Sequence, residues 1–516
     1  MRRISVLAVT LALGLPIIPA TTSAHGDGGG PPLERYAADT WRSFRKLVTP
    51  RTGLPADNIG GDLRRNTRSE FTSPTNIGMY LWATIAARDL GLISDRQATR
   101  RMRRTLTSVS QLERHEPSGQ FYNWYDPVTL EKITIWPENG DIVYPFLSSV
   151  DNGWLAAALL MVAEAEPKLH DRAWVLATSM DFGCYYDAQA KPDGAGLIRG
   201  GFWTVDDAPP GSDAFPRDDY CDMYEDVVYT GHHYGAFNTE PRIASYIGIA
   251  LRQIPKEHYF GPWRTFPDSC DWAWTERQPI GEWRTYLDVP VFEGAFPYDD
   301  QLVVPTWGGS MFEAMMVPLV VPEEEWGPDS WAVTHPLFVE SQIEFGLDEA
   351  DYGYWGFSPA SDPAGGYREY GVDAIGIEPN GYAADVDRLT LVDAGWADPA
   401  CPRPPAPITD YGEGVVTPHA AFLALDVAPD AALTNLAKLE ADFPDIYGRG
   451  GFKDSVNVAT GQIADRYLAL DQGMVIAAIA NELLGDQFQD YLAVTLQRRV
   501  QPLMAMEQFG AGRVGS

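Results

Sequence analysis

Helical periodicity recurs along almost the whole of this 516-residue chain, broken by long loops of unusual composition. Apolar residues fall at i, i+3, i+4 spacing over residues 36–48. Ser73-Pro74 opens a second helix reaching about Leu90, because Ser caps the first amides and Pro suits the first turn. Ser94 with Gln97 makes a capping box ahead of a basic amphipathic segment. The same pattern predicts helices over 150–165, 173–180, 241–253, 309–320, 336–345, 418–425, 430–442, 473–484 and 487–498, about twelve in all. Stretches rich in Gly, Pro, Asp and aromatics separate alternate pairs, above all 183–239 and 352–410. Loops this long are functional or disordered, and their Trp, Tyr and Phe content argues for order. Helix pairs with elaborated loops predict an all-α fold, a closed barrel of helical hairpins with a site at one end. No fixed-period repeat supports the competing solenoid.

The N-terminus predicts export. Arg2 and Arg3 precede the apolar run ISVLAVTLALGLPIIPA, and Thr22-Ser23-Ala24 is a small-residue cleavage site. The expected layout is a signal peptide over 1–24, a flexible lead-in over 25–34, one domain over 35–509 and a frayed tail over 510–516. No later run reaches the roughly 18 apolar residues that span a bilayer. A secreted protein, extracellular or periplasmic, is therefore expected. Its net charge of −32 repels nucleic-acid phosphates and anionic lipid, so neither is an expected partner. Cys184, Cys221, Cys270 and Cys401 allow one or two disulfides in an exported chain, or stay as buried thiols in a core this large.

The chemistry lies in isolated carboxylates. Glu313 is the one charged residue of PTWGGSMFEAMM, and Met311, Met315 and Val317 surround it if the segment is helical. An acid there either hydrogen-bonds a loop backbone or carries a raised pKa suited to general acid catalysis. Glu240 precedes an apolar helix beside Arg242. It is either a first-turn acid paired with that Arg or a cleft acid held by it. Asp151 in SSVDNGWL fits a helix N-terminus on dipole grounds alone. Asp471 directly precedes a predicted helix as a possible cap, and Asp454 stands beside Lys453 as a possible ion pair. Glycoside hydrolysis needs two carboxyl groups flanking the bond, one acid and one base or nucleophile. No hydrolase elbow, phosphate loop, zinc helix or dinucleotide fingerprint occurs in a fitting context. His232-His233 reads as structural, and the acidic stretch DDYCDMYED from Asp218 lacks EF-hand spacing.

Ten strings between Thr72 and Leu484 resemble, in order, the glucoamylase-like (glycoamylase) domain of bacterial β-1,2-glucanases and of the cyclisation part of cyclic β-1,2-glucan synthases. They are TSPTNIGMYLWATIAARDLGLI, FYNWYD, SSVDNGWL, NTEPRIASYIGIA, TWGGSMFEAMM, WGFSPASDP, GGYREYG, GVVTPHAAFLAL, GFKDSVN and LDQGMV. The resemblance implies an (α/α)6 barrel, an oligo- or polysaccharide substrate of glucan type, and acid catalysis with no metal or cofactor. It implies catalytic roles for Glu240 and Glu313. It implies sugar-binding roles for Asp126, Asp151, Arg242, Asp454 and Asp471, and stacking platforms at Trp124, Trp154, Trp307 and Trp355. Three departures bear on substrate identity. Ala480-Asn481 stands where the family often has Glu-Asn, Val372-Asp373-Ala374 replaces Ala-Pro-Pro, and DSVN replaces Asp-Ala-Phe-Asn. A secreted glycoside hydrolase of a neutral glucan is the expected function. A non-catalytic carbohydrate-binding protein on the same barrel competes with it, since fold does not fix function.

Overall fold

Capping chemistry sets the helix starts. In the computed structural model, Ser73 accepts the Asn76 amide at 3.1 Å and Pro74 takes the first helical position. Ser94 and Gln97 close their capping box. Residues 32–191, 195–212, 227–265, 279–377 and 414–514 are described. The expected signal peptide, Cys221, Cys270, Cys401 and the acidic stretch 218–226 lie outside them. Cys184 is disulfide-bonded.

Fourteen α-helices occur among the described residues. They are α1 (Pro32–Leu47), α2 (Pro74–Asp89), α3 (Asp95–Val109), α4 (Ser149–Ala165), α5 (His170–Thr178), α6 (Arg242–Ala250) and α7 (Met311–Met315). The rest are α8 (Glu323–Trp326), α9 (Trp331–Glu344), α10 (Pro418–Leu423), α11 (Pro429–Asp442), α12 (Ala469–Leu484), α13 (Gln487–Leu496) and α14 (Gln501–Met504). The mostly buried helices α2, α4 and α12 are inner elements, whereas α1 and α3 bury one stripe. α2 packs on α4, α4 on α6, α7 on α10, α10 on α12, and α12 back on α2. Hydrogen bonds join α6 to α7, as Arg242 donates to the carbonyls of Glu313 at 2.9 Å and Ala314 at 2.6 Å. Gly78 permits the α2–α4 approach, since a Cβ there would lie 2.9 Å from the Trp154 carbonyl oxygen.

Several boundaries differ from expectation. The helix predicted over 309–320 stops at Met315 and passes into a 3-10 turn at Val317–Leu319, where Pro318 cannot supply an amide donor. Pro336, expected to open a helix, lies inside α9. The lead-in is already helical from Pro32. The expected frayed tail is partly ordered, because Gly512–Arg513 adds a strand beside Gln301–Val303 and Arg513 pairs with Glu340 at 2.6 Å.

The fold is also not purely helical, since small sheets occupy the loops. The largest sheet has four strands, including an antiparallel hairpin of Ile280–Tyr286 with Val289–Tyr298. Leu287 and Asp288 form its two-residue turn with φ of 48° and 67°. This is the positive-φ geometry that matches strand twist, but it lacks the usual Asn-Gly signal. Glu293 in this hairpin is fully buried. Burial and then the nearby Glu507 charge push its pKa up to about 8. A carboxyl protonated when folded and ionised when unfolded favours the folded state below pH 4.5 and loses that contribution as pH rises toward 8. Glu293→Gln should therefore remove a negative slope of at most about 1.4 kcal/mol per pH unit between pH 5 and 8. Urea denaturation at a series of pH values checks this, and an unchanged slope contradicts it.

Candidate active site

The inner helices bring their first turns together. Thr75 of α2 donates to Asp151 Oδ1 of α4 at 2.5 Å. Trp154, one turn after Asp151 on the same face, donates its indole N–H to Glu240 Oε2 at 2.6 Å. Glu240, two residues before α6, donates its backbone N–H to Glu313 Oε2 of α7 at 2.8 Å. Asp151, Glu240 and Glu313 are half-buried, while almost every neighbour along their helices is buried. These acids are thus the openings in otherwise closed surfaces. Each stands near a helix N-terminus, where unpaired amides and the helix dipole favour negative charge.

Their environment works against full ionisation. Burial first and the Glu313 charge second raise Glu240 well above the carboxylate range, against the Trp154 hydrogen bond. Burial pushes Glu313 up to about 8, opposed by the Glu240 amide. Asp151 is raised by burial despite the hydroxyls of Thr75 and Ser148. Tyr234 lies in the field of Glu240, Asp151 and Glu313, and burial with these charges keeps its phenol protonated. With the Asn123 amide oriented to suit its neighbours, it donates to Asp151 Oδ2 at 2.7 Å and accepts from Trp124 Nε1 at 3.3 Å.

Glu369, not singled out in GGYREYG, joins the site. It lines a small hollow with Trp307, Ser310, Glu313, Pro359 and Tyr370, and burial pushes its pKa to about 7. The WGG turn explains its placement. Gly309 has φ +65°, and a Cβ there would overlap the Val372 carbonyl. Val372 donates to the Gly309 carbonyl at 3.0 Å, so the Glu369 segment docks beside Glu313. Two larger hollows, one around Trp263 and Trp283 and one around Arg51 and Arg104, contain none of these acids.

Other expected site residues have different surroundings. Arg242 pairs with Glu323 through two 2.8 Å bonds, not with Glu240, and both are buried. Its five donor groups are spent on the fold, which leaves none for a sugar. Asp126 accepts the Val128 and Thr129 amides and so closes a turn. Trp154 and Trp355 are 1% and 2% exposed, too covered to stack on a sugar. Trp124 and Trp307 are half-buried. Asp454 and Asp471 are buried with His419 in one cluster, and both charges reach Tyr367, which also lies in the field of Glu369. Asp471 lies inside the first turn of α12 and does not cap it, and Lys453 pairs with Asp465 at 2.6 Å, not with Asp454. His233 Nε2 meets Asp187 at 2.8 Å beside Arg199, the structural role expected of it. Ala480 packs in the core of α12, about 13 Å along the axis from Asp471, so the acid absent there is remote from the cleft end.

Residues 291–490 match the family described as "Putative glucoamylase". Residues 35–183 match a second family, described as a protein of unknown function (DUF3131). The chain is 24% identical over 562 residues to the cyclic β-(1,2)-glucan synthase NdvB of Rhizobium meliloti. That match covers 89% of this chain but only 18% of NdvB. In fold it is similar to an endo-β-1,2-glucanase from Chitinophaga pinensis solved with sophorotriose and glucose. The TM-score is 0.59 at 15% identity, covering 92% of this chain and 97% of that one. It is also similar to a β-1,2-glucanase from Parabacteroides distasonis, with a TM-score of 0.63 at 14% identity, covering 92% of this chain and 60% of that one. No helix among the described residues is long and apolar enough to cross a membrane.

Proposed function

We propose that the protein is an exported glycoside hydrolase of a neutral glucan, with β-1,2-glucan as substrate class, built as one (α/α)6 domain. The contact between Glu240 and Glu313 carries this reading. The Glu313 carboxyl accepts the Glu240 backbone amide, and the two acids, both raised by burial and with the Glu313 charge acting on Glu240, cannot both be ionised cheaply at neutral pH. One therefore retains a proton while the other carries charge, which is the division of labour that glycoside hydrolysis needs. The protonated member delivers its proton to the glycosidic oxygen as the bond from the anomeric carbon breaks. The ionised member either takes a proton from the attacking water or bonds the anomeric carbon before water displaces it. Asp151, oriented by Thr75 and Asn123, accepts sugar hydroxyls, and Trp124 and Trp307 offer ring faces. The activities of the β-1,2-glucanases that share the fold support the choice of linkage. The ring of inner helices supports the barrel, and the basic, apolar N-terminal run supports export.

A panel of linkage-defined glucans tests the reading. Soluble oligosaccharides should be released from β-1,2-glucan and not from β-1,3-, β-1,4- or α-1,4-glucan. Folded protein that releases nothing from any of them overturns it.

A further inference from the structure

The negative charge of the chain is unevenly spread. Residues 32–112 carry 14 Arg and Lys against 7 Asp and Glu, whereas the whole chain has 39 against 71. Part of this surplus gathers around a hollow of about 620 Å³ that none of the cleft acids lines. Arg100, Arg103 and Arg104 stand there with Thr107 and Gln111 on one stripe of α3 and its C-terminal extension, and Arg51 joins them from the turn after α1. All four arginines are exposed. Arg42, Arg64 and Arg88 in the same region pair with Asp39, Asp62 and Asp89, but the four hollow arginines form no ion pair among the described residues. Arg100 is one turn from both Arg103 and Arg104, and like charges at that spacing oppose a helix. The free protein therefore holds this cluster at a cost.

The walls of the hollow are tied together. Gly53 takes φ +75°, and a Cβ there would lie 3.0 Å from Arg104 Cγ, so the turn sits hard against α3. Ser108 donates to the Thr52 carbonyl at 2.7 Å and Thr52 to the Pro127 carbonyl at 2.6 Å, which joins α3, the turn and residues 127–130. Arg104 donates to the Pro50 carbonyl and Arg51 to the Val128 carbonyl, each at 2.5 Å. One such bond steadies each guanidinium and leaves most of its five N–H groups for a ligand. Arginine alone supplies the charge, and its planar fork meets oxyanions two oxygens at a time. Four such charges call for a dense anion. A phosphate ester carries about −1.5 to −2 at pH 7, a carboxylate half that. From Arg100 to Gln111 the trough runs about 16 Å along the helix axis, longer than one phosphate and enough for several linked ones. A flat anionic bilayer fits poorly, because residues 127–130 continue into exposed Glu131, Glu138 and Asp141, which it would repel. A single chain lying in the trough avoids them.

We propose that the hollow between α3, Arg51 and residues 127–130 is a binding site for a chain of linked phosphates, outside the cleft. This does not rest on the hydrolase reading. The test titrates the full chain calorimetrically at low ionic strength with tripolyphosphate, inorganic phosphate, an oligogalacturonate and phosphatidylglycerol vesicles. One tripolyphosphate should bind per chain, raise the melting temperature and weaken with added salt. Inorganic phosphate should bind at least about tenfold more weakly, having lost the charge-assisted bonds of the linked groups. The double variant Arg100→Gln/Arg103→Gln should lose at least about tenfold in tripolyphosphate affinity. Without ligand it should melt no lower than wild type, because it removes like-charge repulsion. Arg498→Gln/Arg499→Gln, on another basic surface, should bind as wild type does. No saturable binding of tripolyphosphate overturns the site, and so does an equal loss in both double variants. Tighter binding of the oligogalacturonate or of the vesicles overturns the choice of phosphate chain. An Arg100→Gln/Arg103→Gln protein that melts below wild type without ligand marks these arginines as structural and overturns it too.

Discussion

Glu313→Gln should lower turnover of β-1,2-glucan by about 10²–10⁴-fold, the range that a positioned acid or base contributes, while the protein stays folded. The amide oxygen of Gln can still accept the Glu240 N–H, so the 2.8 Å link between the two segments has a substitute. What is lost is a group that can give or take a proton. Stability has its own sign. Glu313 titrates near 8 against an ordinary value of 4.5, so its folded form favours the proton. That contribution is complete below pH 4.5 and disappears as pH rises through 8. The Gln variant should therefore match wild type in acid and equal or exceed it above pH 8. Steady-state kinetics with thermal melting at pH 5 and 9 reads both quantities. Activity within about threefold of wild type would remove Glu313 from the proton-transfer steps.

The second large effect is expected at Glu323, away from the cleft. Arg242 and Glu323 are 3% and 0% exposed and joined by two 2.8 Å bonds. Tyr246 donates to the same carboxylate at 2.7 Å. Glu323→Ala leaves a guanidinium buried with no counter-charge, which costs about 3–5 kcal/mol. The Trp331 ring, 4.8 Å from the guanidinium, offsets only part of this. Because Arg242 also holds the carbonyls of Glu313 and Ala314, activity should fall with stability. The double variant Arg242→Met/Glu323→Leu removes both charges and should recover much of the lost stability. Urea denaturation of the three proteins checks this. A single variant within about 1 kcal/mol of wild type, the range of an exposed ion pair, would contradict it.

These two results separate roles that look alike along the chain. Glu240 and Arg242 are neighbours in NTEPRI, and adjacency suggested an ion pair. The structure turns the arginine inward to Glu323, 81 residues later, and leaves Glu240 to the Trp154 indole. No local pattern contains that choice. Glu313 shows the reverse case. Both sequence expectations for it hold together, because the same carboxylate accepts a loop amide and has a raised pKa. Glu369 went unremarked because GGYREYG has no helical phase to assign it a face. Its place follows from the tight fit of Gly309 against Val372. The hairpin over 280–298 escaped notice because its turn is Leu-Asp, residues that seldom take positive φ.

By itself the sequence determined the helices, through apolar period, Ser and Pro at their starts and the lone acids near their first turns. These are signals carried by neighbours within a few residues, where backbone geometry and capping act. Tertiary structure alone decided which acids face one another. It set Glu240 against Glu313, sent Arg242 to Glu323, and closed Asp454 and Asp471 around His419. The reason is physical. Burial, and the charges that burial brings close, fix a carboxylate's protonation and partners, and both come from segments tens to hundreds of residues away in the chain.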